Sequence, residues 1–168
     1  MKKSKFLLIL LSTVCFTANL QAQNIDDVLQ TEFVFEIRAE LDDTEINGET
    51  KDGVRQAIPI TGGTFEGPNI RGDILPGGAD YQLIRADGVM ELKAVYMIRT
   101  DDGALINVIN EGIIVESETG GEAYVRTSPK FWAPTGKYDW LNKSIFLSRI
   151  SGGSDEPRAV HIRVYRVK

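Results

Sequence analysis

The stretch TEFVFEIRAEL, Thr31–Leu41, sets an apolar side chain at every second position. Phe33, Phe35, Ile37, Ala39 and Leu41 fall on one side, and Glu36, Arg38 and Glu40 on the other. A period of two is that of a β-strand with one face buried and one face wet, because successive side chains of a strand point in opposite directions. The period returns in VMELKAVYMIRT, residues 89–100, where Met90, Leu92, Ala94, Tyr96 and Ile98 share a face. Glu91, Lys93 and Arg99 lie opposite, with Val95 and Met97 among them. ALINVINEGIIVES (104–117), EAYVRTSPKFW (122–132), DWLNKSIFLSRI (139–150) and RAVHIRVYRV (158–167) read as further strands.

The punctuation between these segments agrees. Asp-Gly occurs at 52–53, 87–88 and 102–103, and Gly-Gly at 120–121 and 152–153. Tight hairpins need backbone at positive φ, which Gly adopts without a steric cost. No window carries a sustained helical period. The sequence therefore predicts an all-β chain: one antiparallel, mostly up-and-down β-barrel of roughly eight to ten strands, whose closure leaves no open sheet edge. An outer-membrane barrel would need a nearly charge-free outer stripe on every strand, and charges are spread over most of these.

The N-terminus is a separate matter. Lys2, Lys3 and Lys5 precede the apolar run Phe6–Val14, and small and polar residues follow. That is the three-part pattern of a secretory signal, with cleavage expected after Ala22. Residues 1–22 are thus read as a signal peptide and residues 23–168 as the single β-barrel domain, in the periplasm or outside the cell. Cleavage removes three lysines and no acids, so the net charge goes from −5 to −8, and it removes Cys15, the one cysteine. The exported chain then has no disulfide, thiol nucleophile or thiolate metal site. Its acidity argues against nucleic acid and anionic membrane as partners.

The segment GGTFEGPNIRGDILPGGAD, residues 62–80, is dense in glycine. A dinucleotide fingerprint would put G-x-G-x-x-G between a strand and a helix, but Pro68 follows Gly67 and the chain continues as an extended NIRGDIL. A phosphate loop lacks its Gly-Lys-Ser/Thr and the helix whose N-terminus would hold the anion. Glycines in strands mark bulges, barrel corners, or close approach of another backbone or a ligand. The segment is therefore barrel architecture, and at its sharpest the rim of a pocket.

From Pro59 to Ile106 the chain reads PITGGTFEGPNIRGDILPGGADYQLIRADGVMELKAVYMIRTDDGALI, with YVRTSPKF and YDWLNKSIFL further on. These motifs resemble the bacterial family called domain of unknown function 3237, over about residues 31–167. The resemblance implies a compact single-domain antiparallel β-barrel and no established activity. Tyr81 stands where the family usually shows Trp.

The family-type motifs concentrate Glu66, Arg71, Asp80, Arg85, Asp102, Arg126 and Asn142, with the aromatics Tyr96, Tyr138 and Trp140. Gathered at one barrel mouth, such residues suit a small aromatic or carboxylate-bearing molecule, since Arg grips a carboxylate with two parallel hydrogen bonds. Three functions follow from this set. The first is binding of a small organic ligand. The second is a cofactor-independent isomerase, cyclase or lyase, with Asp80 or Asp102 as base, Tyr96 or Tyr138 as acid and Arg126 as anchor. The third is a structural or interaction role at the envelope with a packed interior. No cofactor signature is present. DTEING lacks the Glu and the flanking helices of a calcium loop, and one histidine without cysteine makes a poor zinc set. His161 alternates with Arg163 and Tyr165, which reads as a half-exposed strand position, and no serine elbow is present for a hydrolytic triad.

Overall fold

A computed structural model describes residues 28–152 and 158–168. The expected signal peptide and the Gly152–Gly153 turn fall wholly or partly outside the described residues. Nine strands follow in chain order: β1 (Thr31–Leu41), β2 (Glu45–Thr50), β3 (Gly53–Glu66), β4 (Arg71–Ile84), β5 (Met90–Thr100), β6 (Leu105–Val115), β7 (Tyr124–Trp132), β8 (Phe146–Gly152) and β9 (Ala159–Val167). A short 3₁₀ turn, Asp139–Lys143, lies between β7 and β8. Each strand pairs antiparallel with its neighbour, and β1 pairs with both β9 and β3, so eight strands close into an up-and-down barrel. The ninth, β2, pairs only with β3. It continues the line of β1 along the upper half of β3, beyond the irregular Asp42–Thr44. Among the described residues no helix is long and apolar enough to cross a membrane.

The glycine-rich segment forms the corner of this barrel. Register slips between Ile60 and Thr64 in the β3–β4 pairing, and between Leu75 and Ala79 in β4–β5. At Gly63, with φ of 127°, a Cβ would stand 2.1 Å from the Arg38 carbonyl oxygen across the β1–β3 pairing. No side chain fits there, so glycine sets how closely the closing strands approach.

One end of the interior is filled. Phe35 meets Phe65 and Phe131 at centroid distances of 5.5 and 5.8 Å, and Phe131 meets Phe146 at 5.0 Å, all edge to face. This is the arrangement the ring quadrupoles favour, adding about 0.5–1.5 kcal/mol per pair to the area buried. Tyr138 and Leu141, from the β7–β8 connection, are buried on the same cluster and close that end.

Two expectations need correction. Phe33 does not share the inner face with Phe35. A β-bulge between them turns Val34 and Phe35 into buried neighbours, and the extra residue reverses the parity N-terminal to it. Phe33 faces outward, with its ring 5.9 Å from that of Tyr165 and the Arg163 guanidinium 5.3 Å above it. DWLNKSIFLSRI is a strand only from Phe146. Its first half is the 3₁₀ turn, held because the Asn142 amide accepts from the Ala133 N–H (2.8 Å) and donates to the Ala133 carbonyl (2.9 Å).

Phe131→Ala should cost about 3–5 kcal/mol through the cavity it leaves in the aromatic plug. Leu147→Ala, at an exposed position, should stay within about 0.5 kcal/mol. Urea midpoints of the two variants measure the difference.

Candidate functional site

At the other end the barrel is lined by smaller side chains. Ala39 and Leu41 of β1, Ile60 of β3, Leu92 and Ala94 of β5, Ile150 of β8, and Val160 and Ile162 of β9 enclose a narrow cavity of about 50 Å³. It opens where Leu41, Ala94, Ile150 and Val160 are half-exposed. Four polar side chains enter this apolar wall: Asp80, Tyr96, Asn110 and Thr127.

Two of them are incompletely satisfied. The Tyr96 hydroxyl and the Asn110 Oδ1 are buried without a hydrogen-bond partner. Buried polar groups of native proteins are nearly always bonded to protein, water or ligand, so both call for a guest. The Tyr96 hydroxyl can donate and accept, and the Asn110 oxygen accepts. Burial holds the Tyr96 phenol in its neutral form well above the ordinary range. Thr127, in contrast, is bonded to the Ser148 hydroxyl.

Asp80 is held from the side. Its Oδ2 accepts from Gln82 Nε2 at 2.7 Å and its Oδ1 from the Lys93 backbone N–H at 3.1 Å. Gln56 Nε2 in turn donates to Gln82 Oε1 at 2.6 Å, so a chain of amides fixes the carboxyl. Burial raises the Asp80 pKa, and the bonds from Gln82 and Lys93 oppose that shift only in part. Among the described residues no cation pairs with it. A carboxyl of this kind exchanges a proton nearer neutral pH than a surface aspartate does.

Glycine makes the room. A Cβ on Gly78 would stand 2.6 Å from both Tyr96 Cβ and the Val95 carbonyl oxygen. The Gly-Gly-Ala-Asp run therefore packs its second glycine on Tyr96 and turns Asp80, two residues on, into the same cavity. This end of the glycine-rich segment thus borders the cavity.

The candidate residues are not gathered at one mouth. Asp80 and Tyr96 share the cavity. Arg126 lies exposed on β7 beside the open end, over the Tyr124 ring at 5.2 Å. Arg85 is at the exposed β4–β5 turn, paired with Asp87 and with Glu91 at 3.3 Å. The other six lie at the plugged end. Glu66 and Arg71 face each other across β3–β4, but Arg71 makes its ion pair with Asp101 at 2.9 Å. Asp102 accepts from Lys137 (2.8 Å), Thr100 and Tyr138 (2.9 Å), which holds its carboxyl well below the usual range and ties the β5–β6 turn to the plug. Asn142 clamps Ala133, and Trp140 packs against Phe146 at 6.1 Å. These contacts make Asp102, Tyr138, Trp140 and Asn142 the fastening of the plug. His161 is half-buried on β9, its Nδ1 3.3 Å from Glu36 Oε1. Among the described residues no three His, Cys, Asp or Glu side chains are grouped to hold a metal ion.

Asn110, Gln82 and Thr127 escape the sequence reading. Their signal is parity: Ile106, Val108 and Asn110 alternate inward on β6, so Asn110 is a polar residue in an apolar register. Gln82 on β4 and Thr127 on β7 repeat the pattern.

The family model described as protein of unknown function (DUF3237) matches residues 29–167. A UPF0311 protein of Rhodopseudomonas palustris is 38% identical over 139 residues, covering 76% of this chain and 91% of the relative. The crystal structure of a conserved protein of unknown function from that organism superposes with a TM-score of 0.77 at 36% identity, covering 84% of this chain and 99% of the other. A β-barrel-like protein of Acinetobacter baumannii gives the same TM-score at 31% identity, covering 87% and 100%. The hydroalkoxylation enzyme phnH of Penicillium herquei is 31% identical over 111 residues, 66% of this chain and 67% of that enzyme.

The Asp80 environment has a sign that stability measurements can read. A carboxyl whose pKa is raised above its unfolded value of 3.8 favours folding fully below that value, and the advantage is lost as pH climbs through the raised pKa. Asp80→Asn removes the ionisation. The stability of the variant relative to wild type should therefore rise between about pH 3 and pH 7, by about 1.4 kcal/mol for each unit of the shift. Paired denaturant titrations across that range measure it.

Proposed function

The chain belongs to the family of proteins of unknown function (DUF3237), and we propose that it is an enzyme of proton-transfer chemistry acting on a small hydroxyl-bearing organic molecule at the open end of its barrel. The observation that carries this is the convergence of Asp80, its pKa raised, with two unpartnered polar atoms inside an apolar wall. A purely structural barrel would gain by filling that space with carbon, as it does at the plugged end.

The reaction class is addition of a hydroxyl across an activated double bond within one molecule, a cyclisation that neither oxidises nor reduces. The Asp80 carboxylate takes the hydroxyl proton as the C–O bond forms. The electron pair of the double bond moves onto a conjugated carbonyl oxygen, to which the Tyr96 hydroxyl donates. Asp80 then returns the proton to carbon. Support for this class comes from the hydroalkoxylation enzyme of Penicillium herquei, hydroalkoxylation being the addition of an O–H across a carbon–carbon double bond. The cavity, at about 50 Å³, is too small for a whole substrate, so on this reading only the reacting end enters and the rest of the molecule lies across the mouth. Export follows from the N-terminal pattern, and N-terminal sequencing of protein from the culture or periplasm should begin after Ala22.

A thin test substrate is 7-hydroxyhept-3-en-2-one, which closes a five-membered ether by this route. Wild-type protein should accelerate closure over buffer. Asp80→Asn should lower the rate by about 10²–10⁴ and Tyr96→Phe by about 10–10³, with the fold intact by circular dichroism. Equal rates in wild type and Asp80→Asn would sink this reading.

A further inference from the structure

The barrel wall is weakest between β7 and β8. The β6–β7 ladder runs from Asn107–Trp132 to Val115–Tyr124 and the β8–β9 ladder from Phe146–Arg166 to Gly152–Val160, whereas β7 and β8 meet at Thr127–Ser148 alone. Pro129 of β7 has no N–H to give to a ladder. Side chains stitch the strands where the backbone does not: Thr127 bonds Ser148, and Ser128 Oγ donates to the Phe146 carbonyl at 3.0 Å. Beyond Thr127, toward the open end, the strands part around a groove of about 580 Å³. Tyr124, Val125 and Arg126, with Glu122 just before them, line one wall, and Arg149, Ile150 and Ser151 the other. Ile150 also lines the polar cavity, so one side chain separates the two spaces.

The groove carries two guanidiniums, Arg126 and Arg149, against one carboxylate, Glu122, in a chain of net charge −5. Among the described residues Arg126 meets no carboxylate within 4.0 Å; it donates to the neighbouring Val125 carbonyl at 2.7 Å and lies over the Tyr124 ring. The other described lysines and arginines, Arg99 excepted, each have an ion-pair partner. Arg149 has Glu122 at 3.3 Å, but that carboxylate is 89% exposed and its hold is correspondingly weak. Two guanidiniums therefore face a groove that leads to the cavity, and one of them is unpaired. At the plugged end, by comparison, the crevice beside Trp140 has its Arg166 paired with Glu32 at 2.8 Å.

We propose that the opening between β7 and β8 is the substrate's binding groove, and that Arg126, with Arg149 beside it, holds the carboxylate of an organic acid whose uncharged part passes Ile150 to Asp80, Tyr96 and Asn110. This rests on the cavity being the reaction site. The charge placement is complementary. An anion inside the cavity would meet Asp80 in a poorly solvated space and be repelled. Held outside by Arg126, it orients the molecule so that the apolar end alone enters. Guanidinium binds carboxylate through two parallel hydrogen bonds, and the adjoining Tyr124 ring offers a flat apolar contact for the carbon chain.

Two probes differing only in charge test this: 5-hexenoate and its uncharged amide, 5-hexenamide, titrated into full-length mature protein and followed by NMR shifts of the Arg126 side chain and the Tyr96 ring. The acid should bind about tenfold or more tightly than the amide, lose affinity with added salt, and move both signals. Arg126→Gln, a change at an exposed position, should reduce the acid to the amide's affinity and leave the amide unaffected. Ile150→Trp should block the Tyr96 shift while the Arg126 shift persists. Unchanged acid binding in Arg126→Gln, or equal affinity for acid and amide, overturns the groove. If the amide moves Tyr96 and the acid does not bind, the groove is wrong and the cavity stands. If the acid moves Arg126 and never Tyr96, the groove stands and the cavity reading is wrong. Binding of neither probe overturns both.

Discussion

Closure of the barrel depends on how nearly β1 and β3 can approach. β1 must satisfy β9 on one edge and β3 on the other. At the second of these, Gly63 lies under the Arg38 carbonyl oxygen at a distance that excludes any side chain. Without that approach the sheet would keep two open edges, and β2 would have no bent upper half of β3 to extend. Antiparallel pairing of eight consecutive strands then follows with short connections, because each strand ends beside the next. Eight strands also fix the scale of the interior, which is wide enough for side chains and little else.

What fills that interior divides the molecule. Four phenylalanines and the buried part of the β7–β8 connection pack one end, and Asp102, Tyr138 and Asn142 fasten the connection in place. The opposite end exchanges phenylalanine for alanine, leucine, isoleucine and valine around polar groups. Stability is concentrated at the plug, and the unfavourable features, a raised carboxyl and two orphaned polar atoms, at the mouth. Unsatisfied polarity gathered at one end of an otherwise well-packed barrel is the feature on which the proposed chemistry rests.

The strand pattern, the hairpin glycines and the barrel architecture were legible because alternation and turn chemistry are local. TEFVFEIRAEL and VMELKAVYMIRT coincide with β1 and, to within a residue, β5. Phe33 was misplaced because one extra residue in a bulge reverses every face beyond it, and a bulge leaves no mark in a regular alternation. The 3₁₀ turn at Asp139–Lys143 was missed because it is held by Asn142 reaching Ala133, a contact no local pattern encodes. Of the site candidates, Asp80 and Tyr96 line the cavity; Asn110, which lines it with them, was not among the candidates, although its inward parity on β6 was there to be read.

The sequence alone determined which segments extend, which face of most of them is apolar, where they reverse, and that the chain carries charges of both signs over a glycine-marked barrel. These depend on side-chain period and backbone freedom, which act over a few residues. Tertiary structure decided which end each residue occupies. Asp80 and Asp102 are similar carboxylates near turns in the sequence. One, half-buried, lines the cavity with no counter-ion among the described residues, and the other is bound by Lys137, Thr100 and Tyr138. Their opposite pKa shifts arise mainly from what barrel closure brings about, burial at the cavity for Asp80 and the approach of Lys137 and Tyr138 for Asp102, with Gln82 and Thr100 contributing from close by in the chain.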